Sequence, residues 1–230
     1  MKNFLCIILT ATVLFFGTCI GGCHNAQTAQ GELKKMNIEV NAESFKQYLE
    51  KGDLKVVQLF LQSGTSPQNG LTEDKSTPLH WATTSGNRDL AAFLIDKGAD
   101  VKSKNVIGQS PLHWAANNGS KDITALLIDK GADVNEKDHN GMTPLLFAVE
   151  KSHVDVVKLL VDRGADVKII NNSKYAAMHL VSSKEIAEIL LSKNADTSTV
   201  NLNGKTPLQE ARERGRKDIV ELLTKKGVKK

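Results

Sequence analysis

The chain repeats itself. The segment STPLHWATTSGNRDLAAFLIDKGAD, which begins at Ser76, returns from Ser110 as SPLHWAANNGSKDITALLIDKGAD. Two rulers mark the period. Pro78, Pro111 and Pro144 are 33 apart, Ala177 takes the next step and Pro207 follows after 30. Gly98, Gly131 and Gly164 also step by 33, and Asn194 and Gly227 continue the row. A fixed period of this length limits the fold to a stack of one supersecondary unit, because such a unit buries its apolar side only against its neighbours.

Each unit has its own punctuation. In STPLHWA, Thr77 offers a capping hydroxyl and Pro78 stands at the first helical position, where its missing N–H costs nothing. Leu79, Trp81 and Ala82 supply buried contacts, and Gly86 ends the first helix. RDLAAFLIDK then makes a second amphipathic helix through Leu90, Phe93 and Leu94, and Gly98 can take the left-handed conformation that closes it. The polar stretch ADVKSKNVIG leads on to the next unit.

These motifs, TPLHxA followed by LLxxGADV, resemble the ankyrin repeat over residues 42 to 227. The resemblance implies an all-α solenoid of helix-turn-helix units joined by β-turn fingers, about five full repeats plus an N-terminal cap. The cap is NAESFKQYLEKGDLKVVQLFLQSGTS, which lacks TPLH but keeps the second helix. The fourth full unit is abnormal: Ala177 replaces Pro, Asn194 replaces Gly, and three residues are missing between its helices. It is expected to distort the stack locally. The position of Trp81 reads Trp114, Phe147, Leu180 and finally Glu210 down the stack, and the closing carboxylate is expected to face solvent as an end cap.

Residues 1–22 have the three zones of a secretory leader: Lys2, an apolar run too short for a permanent span, and a small-residue end at Gly21-Gly22. Ile20-Gly21-Gly22-Cys23 resembles the bacterial lipoprotein box, which implies that Cys23 is lipidated and becomes the mature N-terminus. Acyl chains contribute about 0.8 kcal/mol per buried methylene, enough for durable attachment with two or three chains. Residues 23–41, from the lipid-bearing Cys23 through HNAQTAQGELKKMN, lack apolar periodicity and are expected to form a flexible tether; residues 228–230 form a basic tail. The expected place is the bacterial cell envelope, on the periplasmic face or the outer membrane. A soluble periplasmic or secreted protein is the alternative.

No catalytic constellation emerges. Cys6, Cys19 and Cys23 are the only cysteines, so the repeats hold no thiol, disulfide or cysteine-based metal site. There is no nucleophile elbow and no phosphate-binding glycine loop. His80, His113 and His179 share one repeat position, and stacked helices lie about 8–10 Å apart, too far for shared zinc ligation. In ankyrin repeats this histidine ties neighbouring turns. The net charge of +4 is spread through alternating acids and bases, which argues against a nucleic-acid partner. No cofactor, metal or small-molecule substrate is expected.

What remains is a surface, expected on the finger tips and the concave ends of the first helices. By register it comprises Val106, Ile107, Gln109 and Asn117 in the second unit, and His139, Asn140, Met142, Glu150 and Lys151 in the third. Tyr175 follows in the fourth, then Leu202 and Lys205 in the last; Glu73, Asp74, Ser76, Thr84, Asn118, Asn172 and Arg214 flank the row. Val106, Ile107, Met142, Tyr175 and Leu202 are expected to be exposed, with Met142 and Tyr175 the stronger anchors. A non-enzymatic binding protein for an envelope or secreted protein is the leading expectation. A periplasmic immunity protein that neutralises a toxin, and an accessory chaperone of an envelope enzyme, are the alternatives.

Overall fold

The computed structural model of the chain describes residues 19–228, with side chains from residue 25. Residues 1–18 of the leader and the last two residues lie outside the described residues, as does the side chain of Cys23. The described residues form α-helices and no β-strand, the nearest approach being one isolated bridge between Ile170 and Ala176.

Helix α1 (Cys19–Lys35) is followed by six helix pairs. These are α2 (Ala42–Lys51) with α3 (Leu54–Gln62), α4 (Pro78–Thr84) with α5 (Arg88–Asp96), and α6 (Pro111–Asn117) with α7 (Lys121–Asp129). Then come α8 (Pro144–Glu150) with α9 (Val154–Asp162), α10 (Ala177–Leu180) with α11 (Lys184–Ser192), and α12 (Pro207–Glu213) with α13 (Lys217–Lys225). The first helices of the pairs pack in an inner row and the second helices in an outer row. Leu79, Leu112, Leu145 and Leu208 of the inner row and Leu94, Leu127, Leu160 and Leu190 of the outer row are buried, so the apolar core runs between the two rows along the whole stack.

Two sets of polar ties join the units. The first runs forward from the histidines. The Thr77 N–H donates to His80 Nδ1 at 3.1 Å, which leaves the ring proton on Nε2, 3.0 Å from the Gln109 carbonyl of the next unit. His113 bonds Ser110 at 3.0 Å and the carbonyls of Glu136 and Met142 at 3.1 and 3.2 Å, and His179 bonds Ala176 at 3.1 Å and the Lys205 carbonyl at 3.0 Å. In the third unit Leu146 takes this position and in the last Gln209 does, so those units lack a forward histidine tie. The second set runs backward from the starts of the outer helices α5, α7 and α9. Asn87 Nδ2 donates to the Gly52 carbonyl at 2.9 Å, Ser120 Oγ to Thr83 at 3.2 Å and His153 Nε2 to Asn117 at 2.9 Å.

The helical framework departs from the sequence-based expectations in three places. The expected tether is helical through Lys35 and is docked: Ala29 and Leu33 are buried and α1 packs on α3. Two buried residues among polar ones were too sparse a pattern to reveal it. Glu210 is buried, not a solvated end, because Arg214 Nε donates to its carboxylate at 2.7 Å and Asn201 Nδ2 at 3.2 Å. Val228 belongs to the fold, not to a tail, since its N–H closes the end of α13 on the Leu223 carbonyl at 3.1 Å.

The shortened fourth unit leaves its mark on one helix. α10 has four residues where α8 and α12 have seven. Its missing last turn would leave buried carbonyls bare, and Arg216 of the next unit supplies the donor, with Nη1 on the carbonyls of Val181 and His179. The inner row continues from α8 through α10 to α12. Asn194 adopts φ 58°, so it does the work of the glycine it replaces.

Candidate functional site

The fingers are built by one device. The Asn105 side-chain oxygen accepts the N–H groups of Ile107 and Gln109 at 3.2 and 2.9 Å. Asp138 holds Asn140 and Met142 at 2.8 Å each, and Asn171 holds Ser173 and Tyr175 at 3.0 and 2.9 Å. Asn201 holds Asn203 and Lys205 at 2.9 and 3.1 Å. Short carboxylate and carboxamide side chains favour such turns because they reach their own backbone two residues on.

The tips are then laced together by backbone bonds, to which Asn172 Nδ2 adds one on the His139 carbonyl at 2.8 Å. The Val106 N–H donates to the Asp74 carbonyl at 2.8 Å, His139 to Ile107 at 3.0 Å, Asn172 to Asn140 at 2.9 Å and Leu202 to Ser173 at 3.2 Å. The fit is close. A Cβ at Gly108, where φ is 80°, would sit 2.6 Å from the His139 ring, so a side chain there would part the two fingers.

This edge also gathers the exposed apolar side chains. Among the described residues the large exposed ones are Met36, Val40, Val106, Ile107, Val200 and Leu202. All six lie in segments that join an outer helix to the next inner helix. Single exposed apolar residues carry little meaning, but their recurrence in these joining segments does.

Val106, Ile107 and Leu202 are therefore placed as expected, and His139, Asn140, Glu150 and Lys151 are exposed. Met142 and Tyr175 are not. Both are partly buried against the core, and Tyr175 meets the His179 ring edge-on at 5.5 Å, so neither is a free anchor. Each stands at the last N–H held by its turn, where the side chain folds back. Lys205, at the same place in its own turn, is held by Glu213, whose carboxylate keeps the ammonium above its usual range.

On the inner helices a cleft of about 300 Å³ is lined by Thr84, Gln109, His113, Trp114, Asn117, Asn118 and Phe147. It brings Gln109 and Asn117 together with their flanking residues Thr84 and Asn118. Trp114 and Phe147, expected as core alone, form its aromatic walls. Trp114 Nε1 donates to Gln109 Oε1 at 3.0 Å, and the ring meets Trp81 edge-on at 5.0 Å. Lys46 lies over the Trp81 ring, 4.3 Å from its centre. No charged side chain lines the cleft. The signal for it was the recurrence of a large apolar residue at the fourth position of the first helix, where it is half exposed on the inner face.

The histidines are fully engaged in the forward ties, and burial pushes all three imidazoles below their ordinary pKa, His80 to about 4. They are structural. Among the described residues no three His, Cys, Asp or Glu side chains come together in a group that could hold a metal ion.

Comparison with known proteins agrees with the fold. The family model described as ankyrin repeats in three copies matches residues 47–105, 102–171 and 168–230. A stretch of 77 residues is 35% identical to the phosphocholine transferase AnkX of Legionella pneumophila, covering 34% of this chain and 8% of that protein. Another of 86 residues is 33% identical to the palmitoyltransferase akr1 of Aspergillus oryzae, covering 34% of this chain and 12% of that one. The chain thus spans about a tenth of the length of these curated relatives.

Proposed function

The chain belongs to the ankyrin repeat family, a family of protein-interaction modules, and from that premise we propose that it is a non-enzymatic binding protein of the bacterial cell envelope. Cys23 carries the lipid that attaches it to a membrane. The partner is an envelope or secreted protein, held along the finger edge and in the aromatic cleft of the inner face.

The observation that carries this reading is that the large exposed apolar residues all lie in the segments that join outer to inner helices, Val106, Ile107 and Leu202 of them on finger tips. Val106 and Ile107 stand in the finger whose Gln109 forms part of the cleft wall, so an apolar ridge adjoins an uncharged aromatic hollow. Interface cores are depleted in charge and enriched in aromatic residues, as this hollow is. The outer row is different: Lys130 pairs with Asp96 at 3.6 Å, Arg163 with Asp129 at 2.6 Å and Lys121 with Asp155 at 3.6 Å, a solvated face of matched charges.

The test is a photo-crosslinking amino acid placed at Ile107 and, as a control, at Lys158 on the outer face of α9, in cells that make the full chain. The expected result is one or a few envelope proteins joined at Ile107 and not at Lys158. Equal capture at the two positions would remove the finger edge as the recognition surface. Intact mass of the mature protein tests the lipid at Cys23 independently.

A further inference from the structure

Helix α1 ends as the outer helices end. The Ile38 N–H returns to the Leu33 carbonyl at 2.9 Å across Asn37, which takes φ 58°. Ala99 does the same on Leu94 across Gly98, Ala132 on Leu127 across Gly131, and Ala165 on Leu160 across Gly164. The buried residues of α1, Ala29 and Leu33, stand four apart, as do Val56 and Phe60, Leu90 and Leu94, and Ile123 and Leu127 in the outer helices. Gln30 Nε2 adds a bond to the Ser63 carbonyl at 3.4 Å. α1 is thus the outer helix of a half repeat that closes the N-terminal end of the stack on α3.

We propose that this docked helix is a strut that holds the repeat stack against the bilayer, so that the partner is a protein embedded in or attached to the same membrane. The proposal rests on the reading of Cys23 as the lipid-bearing residue. A free chain over residues 23–41 would let the stack wander as far as about 60 Å from the surface. The helix leaves six residues from Cys23 to Ala29, about 9 Å of helical rise, before the chain is fixed to the fold. The N-terminal end of the stack is then held next to the lipid, and the reach of the recognition edge is set by the stack itself, whose helices lie about 8–10 Å apart, and not by a slack tether.

The experiment uses the full chain, matured and purified from membranes and reconstituted in phosphatidylcholine vesicles that carry an acceptor dye on a headgroup. A donor dye is attached through Lys158→Cys, and energy transfer reads the distance from α9 to the bilayer. Two further variants are compared: Leu33→Asp, which undocks α1, and a flexible Gly-Ser insertion after Asn25, which lengthens the link while leaving α1 docked. Strong transfer in the parent chain, lost in both variants, is the expected result. Parent transfer no stronger than that of the insertion variant overturns the proposal, and this comparison stands even if Leu33→Asp fails to fold. Hydrogen exchange at residues 29–33 separates the two layers of the argument. An acylated chain with unprotected amides there removes the strut alone. An unacylated chain with protected amides removes the lipid anchor, and the membrane role of the strut with it.

Discussion

His80 Nε2 lies 3.0 Å from the carbonyl of Gln109, so a neutral imidazole in one repeat holds the finger of the next. Burial disfavours the charged ring more than the Gln109 carbonyl and Asp74 favour it, and its pKa falls from 6.5 to about 4. The unfolded chain takes up this proton near pH 6.5 and the folded chain does not. Stability is therefore full above about pH 6.5 and is lost as pH falls from there toward 4, at up to about 1.4 kcal/mol per pH unit for this group. His113 and His179 are shifted the same way and steepen the loss. Urea midpoints between pH 7.5 and 5 should fall, and His80→Gln should flatten the slope, since Gln209 already makes the same cap on Thr206. A flat profile over that range would remove the account.

Thr124 is buried in α7 and its hydroxyl has no hydrogen-bond partner. Thr124→Val removes the unsatisfied group and keeps the shape, so it should raise stability by about 1 kcal/mol. A lower melting temperature for this variant would mean that the hydroxyl is bonded after all.

Leu112 is fully buried between the rows, whereas Asn140 stands exposed on a finger whose ties are made by backbone atoms. Leu112→Ala should cost about 2–5 kcal/mol, and Asn140→Ala should stay within about 0.5 kcal/mol. Chemical denaturation of the two variants checks the register of the whole stack, which equal losses would contradict.

Arg216 supplies the donor that α10 is too short to provide, bonding the buried Val181 carbonyl. Arg216→Met should cost about 1–3 kcal/mol by leaving that acceptor unsatisfied. Faster hydrogen exchange should be confined to the last two units. Exchange that rises evenly from α2 to α13 would count against the patch.

Exposed and folded-back finger residues should separate in one experiment. Ile107→Asp and Leu202→Asp should leave the melting temperature unchanged and weaken partner capture, roughly thirtyfold where the anchor contributes 2 kcal/mol. Met142→Asp and Tyr175→Asp should lower the melting temperature, because both side chains pack on the core. Glu188→Lys, on the outer row, should change neither.

The helix pairs were legible because each boundary is marked by a residue with a physical reason to be there: Pro78 at a first helical position, His80 on its cap, Gly98 in a left-handed turn. α1 had no such marks except Asn37, and what orders it is the surface of α3, which lies outside its own sequence. The finger row was legible as a row, since the turn-forming Asn105, Asp138, Asn171 and Asn201 recur with the period. Which of its side chains point outward was not. Ile107 stands at the tip, while Met142 sits where the turn closes and packs inward, and composition does not distinguish those places. Glu210 misled for a similar reason: a carboxylate reads as solvated until Arg214, one turn on, is seen to cover it.

The lacing of the fingers, from Asp74 and Val106 to Ser173 and Leu202, uses N–H and carbonyl groups and one side chain, Asn172 Nδ2 on the His139 carbonyl at 2.8 Å. The side chains of residues 106, 107, 139 and 140 make none of these bonds. Residues 106, 107, 139 and 140 can thus be exchanged for others without loosening the edge that displays them. Such an edge works as a row of type set in a fixed frame: its message can be rewritten one letter at a time, and a lineage can change what it recognises without first relearning how to fold.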